Sequence, residues 1–221
     1  AVDRKNGPFS SVADLAARTG LQRRDLDLLA AADALKSLAG HRRQAAWAAS
    51  AQYLPARAAV QGDLFAAAPP PTHAESTPLA APSLGENLVA DYRSLGLSLR
   101  EHPLSLLRAA LTERRFVSAA AIQQAADRAL IRAAGIVVGR QRPGTATGIV
   151  FVTLEDESCL VNVVVQPALV EKQRRELLAS RLLGVYGQLQ KEGEVIHLRA
   201  TRLLDLSSWL GNLPTQSRDF H

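Results

Sequence analysis

The sequence has one cysteine, Cys159, no methionine and only 5% aromatic residues among 221. A single thiol excludes an internal disulfide framework and a cysteine-rich zinc site. A chain without Met that opens on Ala1 reads as a segment or processed form of a longer protein. So few aromatics argue against a broad stacking platform for single strands. Long apolar runs are missing too: none approaches the roughly 20 residues that span a bilayer. No charged, apolar, small-residue leader opens the chain. The expectation is a soluble, cytoplasmic protein without a membrane partner. Lysine is also scarce, since 22 of the 26 basic residues are Arg. The cations are therefore mostly planar groups able to grip phosphate through two N–H bonds at once.

The formal charge of +5 is uneven along the chain. Residues 1–60 carry nine Lys/Arg against five Asp/Glu, and residues 131–207 carry ten against eight, whereas 61–82 hold no cation at all. An excess of this size is compatible with nucleic acid without proving it.

Residues 1–54 read as a small helical bundle. Ser10 and Ser11 can cap a helix that enters Val12, Leu15 and Ala16, and Gly20 ends it through the left-handed conformation glycine tolerates. Leu26, Leu29 and Ala30 mark a second helix, and Arg42–Tyr53 a third. Periodicity is lost over 55–82, where Ala66-Ala67-Ala68 and Pro69-Pro70-Pro71 predict a linker. Helical spacing returns over 83–130, with Pro103 fitting a first turn ahead of Leu104, Leu107 and Leu111, and Ser118–Leu130 as an Ala-rich helix.

From Ile131 to Ser207 the period changes to two. Ile136-Val137-Val138 precede a basic, turn-rich loop, Gly139 to Gly144. Ile149–Leu154 and Leu160–Val165 alternate as strands around a tight acidic turn, Glu155-Asp156-Glu157-Ser158, which reads as solvated. A helix opens at Pro167, and Leu182–Leu189 and Val195–Leu203 form a closing hairpin. The order β-β-β-α-β-β is that of the five-stranded OB barrel, whose second and third strands and first and last hairpin loops bind oligonucleotides. The fold class is α+β and multi-domain: helical bundle, linker, helical lead-in, barrel, and a tail over 208–221.

Three stretches carry a resemblance to a known family. The first is Gly7-Pro8-Phe9 through Leu29-Ala30-Ala31-Ala32-Asp33-Ala34-Leu35 to His41-Arg42-Arg43-Gln44-Ala45. The second is Asp91-Tyr92, Leu95-Gly96-Leu97-Ser98-Leu99 and His102-Pro103-Leu104. The third is Gly135-Ile136-Val137-Val138 with Phe151-Val152-Thr153-Leu154-Glu155-Asp156. Together they resemble the helix-hairpin-helix region, lead-in and OB barrel of bacterial C-family DNA polymerases, the polymerase III alpha-subunit type. The closing Ser217-Arg218-Asp219-Phe220-His221 is similar to the end of the error-prone, damage-inducible branch. The resemblance implies a noncatalytic C-terminal region of a polymerase that works in translesion synthesis and DNA repair. The nucleotidyl-transfer site and its divalent metal (Mg) would lie upstream, leaving this chain without a cofactor. The competing reading is a stand-alone OB interaction module that binds protein and not DNA.

Candidate sites follow. Arg140 and Arg142 on the first barrel loop, Lys191 in the opposite hairpin, and Arg199 and Arg202 on the last strand would line a groove for single-stranded DNA or primer-template, with Phe151 stacking on a base. Surface charge and a core Phe are the plain alternatives. In the bundle, Asp33 stands where the replicative relatives carry glycine, which argues against phosphate approach at that turn; Arg23, Arg24, Arg42 and Arg43 are left for nonspecific attraction. Gln61-Gly62-Asp63-Leu64-Phe65 resembles the sliding-clamp pentapeptide, with Gln61, Leu64 and Phe65 as anchors. Trp209 and Leu210 either dock a partner or cap the barrel. The resemblance implies a Y-family polymerase-like protein and a RecA-like accessory protein as those partners. Histidines at 41, 73, 102, 197 and 221 have no ligand-spaced companions, so no metal site is assigned, and no catalytic triad can be assembled.

Overall fold

The computed structural model describes residues 7–52, 78–144, 148–193, 195–215 and the backbone of 218–220. Gln61, Leu64 and Phe65 lie outside the described residues. The chain divides into two units, Ala1–Leu95 and Gly96–His221. The helical lead-in read over 83–130 is therefore distributed over both.

The first unit is helical. Its helices are α1 (Val12–Thr19), α2 (Arg23–Ala31), α3 (Lys36–Ala39), α4 (Arg42–Ala51) and α5 (Leu84–Leu95). Local chemistry sets the ends. The Ser11 hydroxyl accepts the Asp14 amide at 3.1 Å, and Gly20 closes α1 at φ 65°. His41 Nδ1 accepts the Gln44 amide at 3.2 Å to start α4. Val12, Leu15, Leu26, Ala30, Leu35, Ala45 and Ala49 form the core. The small residues on α4 let α2 approach closely. Arg42 and Asp91 make a buried ion pair between α4 and α5, and Arg42 Nη1 also donates to the Asn87 carbonyl at 3.3 Å.

The second unit is a barrel with two helices ahead of it, α6 (Pro103–Glu113) and α7 (Ala119–Gln124). Its strands are β1 (Leu130–Gln141), β2 (Val150–Glu155), β3 (Leu160–Val165), β4 (Leu182–Glu192) and β5 (Val195–Asp205), with α8 (Pro167–Lys172) and α9 (Arg174–Ala179) between β3 and β4. The strands close in the order β1-β2-β3-β5-β4-β1, with β3–β5 parallel and the other four pairings antiparallel. This is the OB barrel. β1 pairs with β4 over its first half and β2 over its second, and turns the corner at Gly135. A Cβ there would stand 2.8 Å from Leu154 Cβ and 2.9 Å from the Glu155 carbonyl, so only glycine admits this approach. Val137, Val152, Leu154, Val163, Val185, Leu189, Leu198 and Leu203 fill the interior, and Leu177 of α9 joins them. A short sixth strand, β6 (Arg218–Phe220), pairs parallel with Gly139–Gln141 of β1.

Three local departures from the sequence reading have clear causes. The Ala-rich helix stops at Gln124 rather than Leu130, because Arg128 turns at φ 62° and residues 128–129 exchange backbone bonds with Leu189. The single helix expected after Pro167 breaks at Gln173, whose side-chain amide is taken by the Leu203 backbone, bonding both its N–H (2.8 Å) and its carbonyl (2.9 Å). The acidic turn is not solvated at its centre. Asp156 is buried, and its carboxylate accepts from the Ala119 amide (2.7 Å), the Ser158 amide (2.8 Å) and Arg108 (3.0 Å).

Candidate nucleic-acid interface

Strand alternation decides which side chains leave the barrel. On β2, Val150, Val152 and Leu154 are buried, so Phe151, Thr153 and Glu155 lie on the outer face. Phe151 is thus half-buried on the wall and not a core residue. Cross-strand register then builds a row: Gln141 faces Phe151, Phe151 faces Val164, Val164 faces Arg199, and Arg199 faces Gln188. Neighbouring strands lie about 4.8 Å apart, which places Phe151 and Arg199 about 10 Å from one another on one surface. Arg142 follows Gln141 directly and is exposed. A second row runs parallel: Gly139, Thr153, Asn162, His197 and Gln190. His197 Nδ1 is buried without a hydrogen-bond partner among the described residues. The surface therefore combines one aromatic, two free-reaching arginines and a strip of uncharged donors and acceptors. Such a set can hold a base and its phosphates together.

Three of the predicted residues stand elsewhere. Arg140 is buried, 6% exposed, and donates from Nε to the Leu177 carbonyl at 2.7 Å and from Nη2 to the Ser180 carbonyl. It ties α9 to β1 instead of forking onto phosphate. Lys191 Nζ donates to the Gln123 carbonyl at 2.8 Å, and its amide to Asp127 at 3.0 Å, so it anchors α7 to the last hairpin. Arg202 lies further along β5, beside Tyr186. At the barrel's end, the 3-10 turn Ser207–Leu210 buries Leu210 at 7% exposure, and Arg114 stacks over the Trp209 ring at 4.6 Å from its centroid. Leu210 is accordingly part of the fold and offers nothing to a partner.

Sequence reasoning passed over Asn162, His197 and Gln188, because polar residues in an alternating strand carry no signal until register shows which of them align. In the helical unit, Asp33 adopts φ 57°, a left-handed turn conformation that Asp tolerates better than most non-glycine residues. Arg42 is buried against Asp91, whereas Arg43 makes an exposed pair with Glu86. Among the described residues no cluster of His, Cys, Asp and Glu could hold a metal ion, and no helix is long and apolar enough to cross a membrane.

The chain's relatives agree with this geometry. Residues 1–45 match the helix-hairpin-helix motif family, and residues 131–206 match the OB-fold nucleic acid binding domain. The chain is 72% identical over 221 residues to an error-prone DNA polymerase of Dechloromonas aromatica, covering 100% of this chain and 21% of that protein. Its sequence kinship is with the error-prone DNA polymerases. Those of an Azoarcus species (61% identity, 99% of this chain, 20% of the relative) and Ralstonia nicotianae (56%, 100% and 20%) say the same. The chain spans about a fifth of the length of these polymerases. Within that span the OB barrel is the part that matches the OB-fold nucleic acid binding domain, and the row through Phe151 and Arg199 crosses β2, β3 and β5.

Proposed function

We propose that this segment is a noncatalytic part of an error-prone translesion polymerase and that its barrel guides single-stranded template DNA across the β2–β3 face. The observation that carries this is the cross-strand row Gln141–Phe151–Val164–Arg199, with Arg142 at its edge. One aromatic and two arginines make a modest site, in which phosphate attraction dominates and salt weakens binding strongly. Nucleotidyl transfer and its metal belong to other parts of the polymerase. The pentapeptide Gln61 to Phe65 supports contact with a sliding clamp. Trp209, partly exposed, supports docking of accessory proteins of the Y-family-like and RecA-like kinds. Fluorescence anisotropy with a labelled oligothymidine tests the DNA reading. Phe151→Ala should weaken binding by about 1–3 kcal/mol, roughly 5- to 150-fold. Arg142→Ala and Arg199→Ala should each reduce the salt slope by about 0.7. Unchanged affinity in all three variants sinks this reading and favours a barrel that binds protein only.

A further inference from the structure

Away from the β2–β3 face, the wall centred on β4 carries a second arrangement of arginines and rings. Tyr186 is flanked in register by Arg132 of β1 on one side and Arg202 of β5 on the other. The Arg132 guanidinium carbon lies 4.9 Å from the Tyr186 ring centroid, and that of Arg202 lies 5.7 Å away. Buried Phe116 meets the same ring edge-on, 5.9 Å between centroids at 75°, and fixes its plane. Arg132 Nη1 donates to the Arg114 carbonyl at 3.2 Å, and Arg114 in turn covers Trp209. The result is two groups of cations on rings, Arg202–Tyr186–Arg132 and Arg114–Trp209, joined by the bond from Arg132 to the Arg114 carbonyl.

None of these three arginines has a carboxylate within 4 Å among the described residues, although Glu113 and Asp205 lie close in sequence. Arg42, Arg43 and Arg108 are each paired with an acid, whereas the arginines of this wall pack on rings instead. A guanidinium held flat on a ring keeps its N–H edge for an outside acceptor, and that edge fits two oxygens of one anion. The rings hold the cations in place before any ligand arrives, which lowers the ordering cost of binding.

We infer that this wall is a second phosphate-binding track, taking the backbone of DNA that has left or not yet reached the β2–β3 face. The choice of DNA over an acidic protein segment rests on the chain's kinship with DNA polymerases; the track itself rests on Arg114, Arg132 and Arg202. Strand length separates the two surfaces. A strand of about 8 nucleotides fits the site of one OB barrel, whereas one of about 30 reaches beyond it.

The experiment compares Arg132→Gln/Arg202→Gln with Phe151→Ala/Arg199→Ala in the full chain, by anisotropy with both oligothymidines over a salt series. The wall variant should bind the long strand about tenfold more weakly, with a salt slope lower by about 1.4 for two lost phosphate contacts, and bind the short strand as the parent does. Arg202→Gln alone, at an exposed position whose side chain makes no hydrogen bond among the described residues, should give half the slope change should the double variant lose thermal stability. Equal affinity and slope for the long strand overturns the inference. So does unchanged binding of both strands by the wall variant when a polyglutamate peptide binds the parent and not the variant, which would assign the surface to an acidic protein. A loss confined to the Phe151/Arg199 variant removes this track and keeps the first site. A loss confined to the wall variant on long DNA keeps the track and removes the proposed groove.

Discussion

Arg140 and Arg142 are two residues apart, and the sequence treats them alike, as two arginines on one basic loop. The structure separates them because β1 ends at Gln141: Arg140 lies within the strand and Arg142 in the loop beyond it. β1 pairs Val137 with Leu154 but Gly139 with Thr153, so Val138 is a bulge. A one-residue slip moves every later side chain to the other face. Arg140 therefore turns inward opposite buried Val152, and Gln141 turns outward beside Phe151. Nothing in Val137-Val138-Gly139 announces a bulge, which is why this half of the candidate site was not legible. Alternation groups Phe151 with Ile149 and Thr153 on one side of its strand, but a core and a wall position fit that pattern alike, and only the register through Val164 brings Phe151 and Arg199 onto one row. The consequence is measurable. Arg140→Ala leaves the Leu177 and Ser180 carbonyls without their donor and should cost about 2–3 kcal/mol of stability in urea denaturation. Arg142→Ala should leave the midpoint unchanged while weakening DNA binding. If both variants unfold at the parental midpoint, the inward role of Arg140 is wrong.

At the scale of elements, hydrophobic period gave the helices and strands their places, and side chains from distant strands then trimmed them. Pro103 fits the first turn of α6 on sequence alone. That His102 caps it, with Nδ1 accepting the Leu104 amide at 3.1 Å, needs the fold. The same holds for Asp156, which reads as a solvated turn yet receives the first amide of α7. Both groups make α6 and α7 sensitive to acid. Burial pushes the His102 imidazole below its ordinary pKa, against the pull of Glu155, Glu157 and Asp156. Burial pushes the Asp156 carboxyl up, but hydrogen bonds from Ser158, Ala119 and Cys159 outweigh it and hold it below the usual range. A depressed histidine means the unfolded chain takes the proton first. Its stabilisation is complete above about pH 6.5 and falls as pH drops below that value. The Asp156 contribution persists to about pH 4 and is lost on further acidification. Urea midpoints should thus decline in two stages. The first, shallower than about 1.4 kcal/mol per pH unit, should vanish in His102→Asn, which keeps a capping acceptor without titrating. Persistence of that first stage in the variant would assign it to another histidine.

At the scale of the whole chain, two cores of different construction stand behind one polypeptide. One is a helical core of alanine and leucine closed by the Arg42–Asp91 pair, and the other is a β-branched barrel interior turned at Gly135. The sequence shows this contrast in its change of period at residue 131, but not that the division falls at Leu95 and Gly96, within a stretch that reads as uniformly helical. α5 is held in the first unit by buried Leu88 and by a charge pair whose members are 49 positions apart. Chains with two separate cores unfold in two steps, each set by its own contacts. Asp91→Ala leaves Arg42 buried without its acid and should destabilise the first unit by about 3–5 kcal/mol. Gly135→Ala forces Leu154 and the Glu155 backbone apart, and should lower the second unit's stability by about 1–3 kcal/mol. Calorimetry should show two transitions, with Asp91→Ala lowering one and Gly135→Ala the other. Trp47 and Trp209 report the two units separately, so replacing either by Phe assigns each transition by fluorescence. A single transition shifted equally by both substitutions would mean that the cores melt together. DNA binding by the barrel would then depend on the integrity of the helical unit.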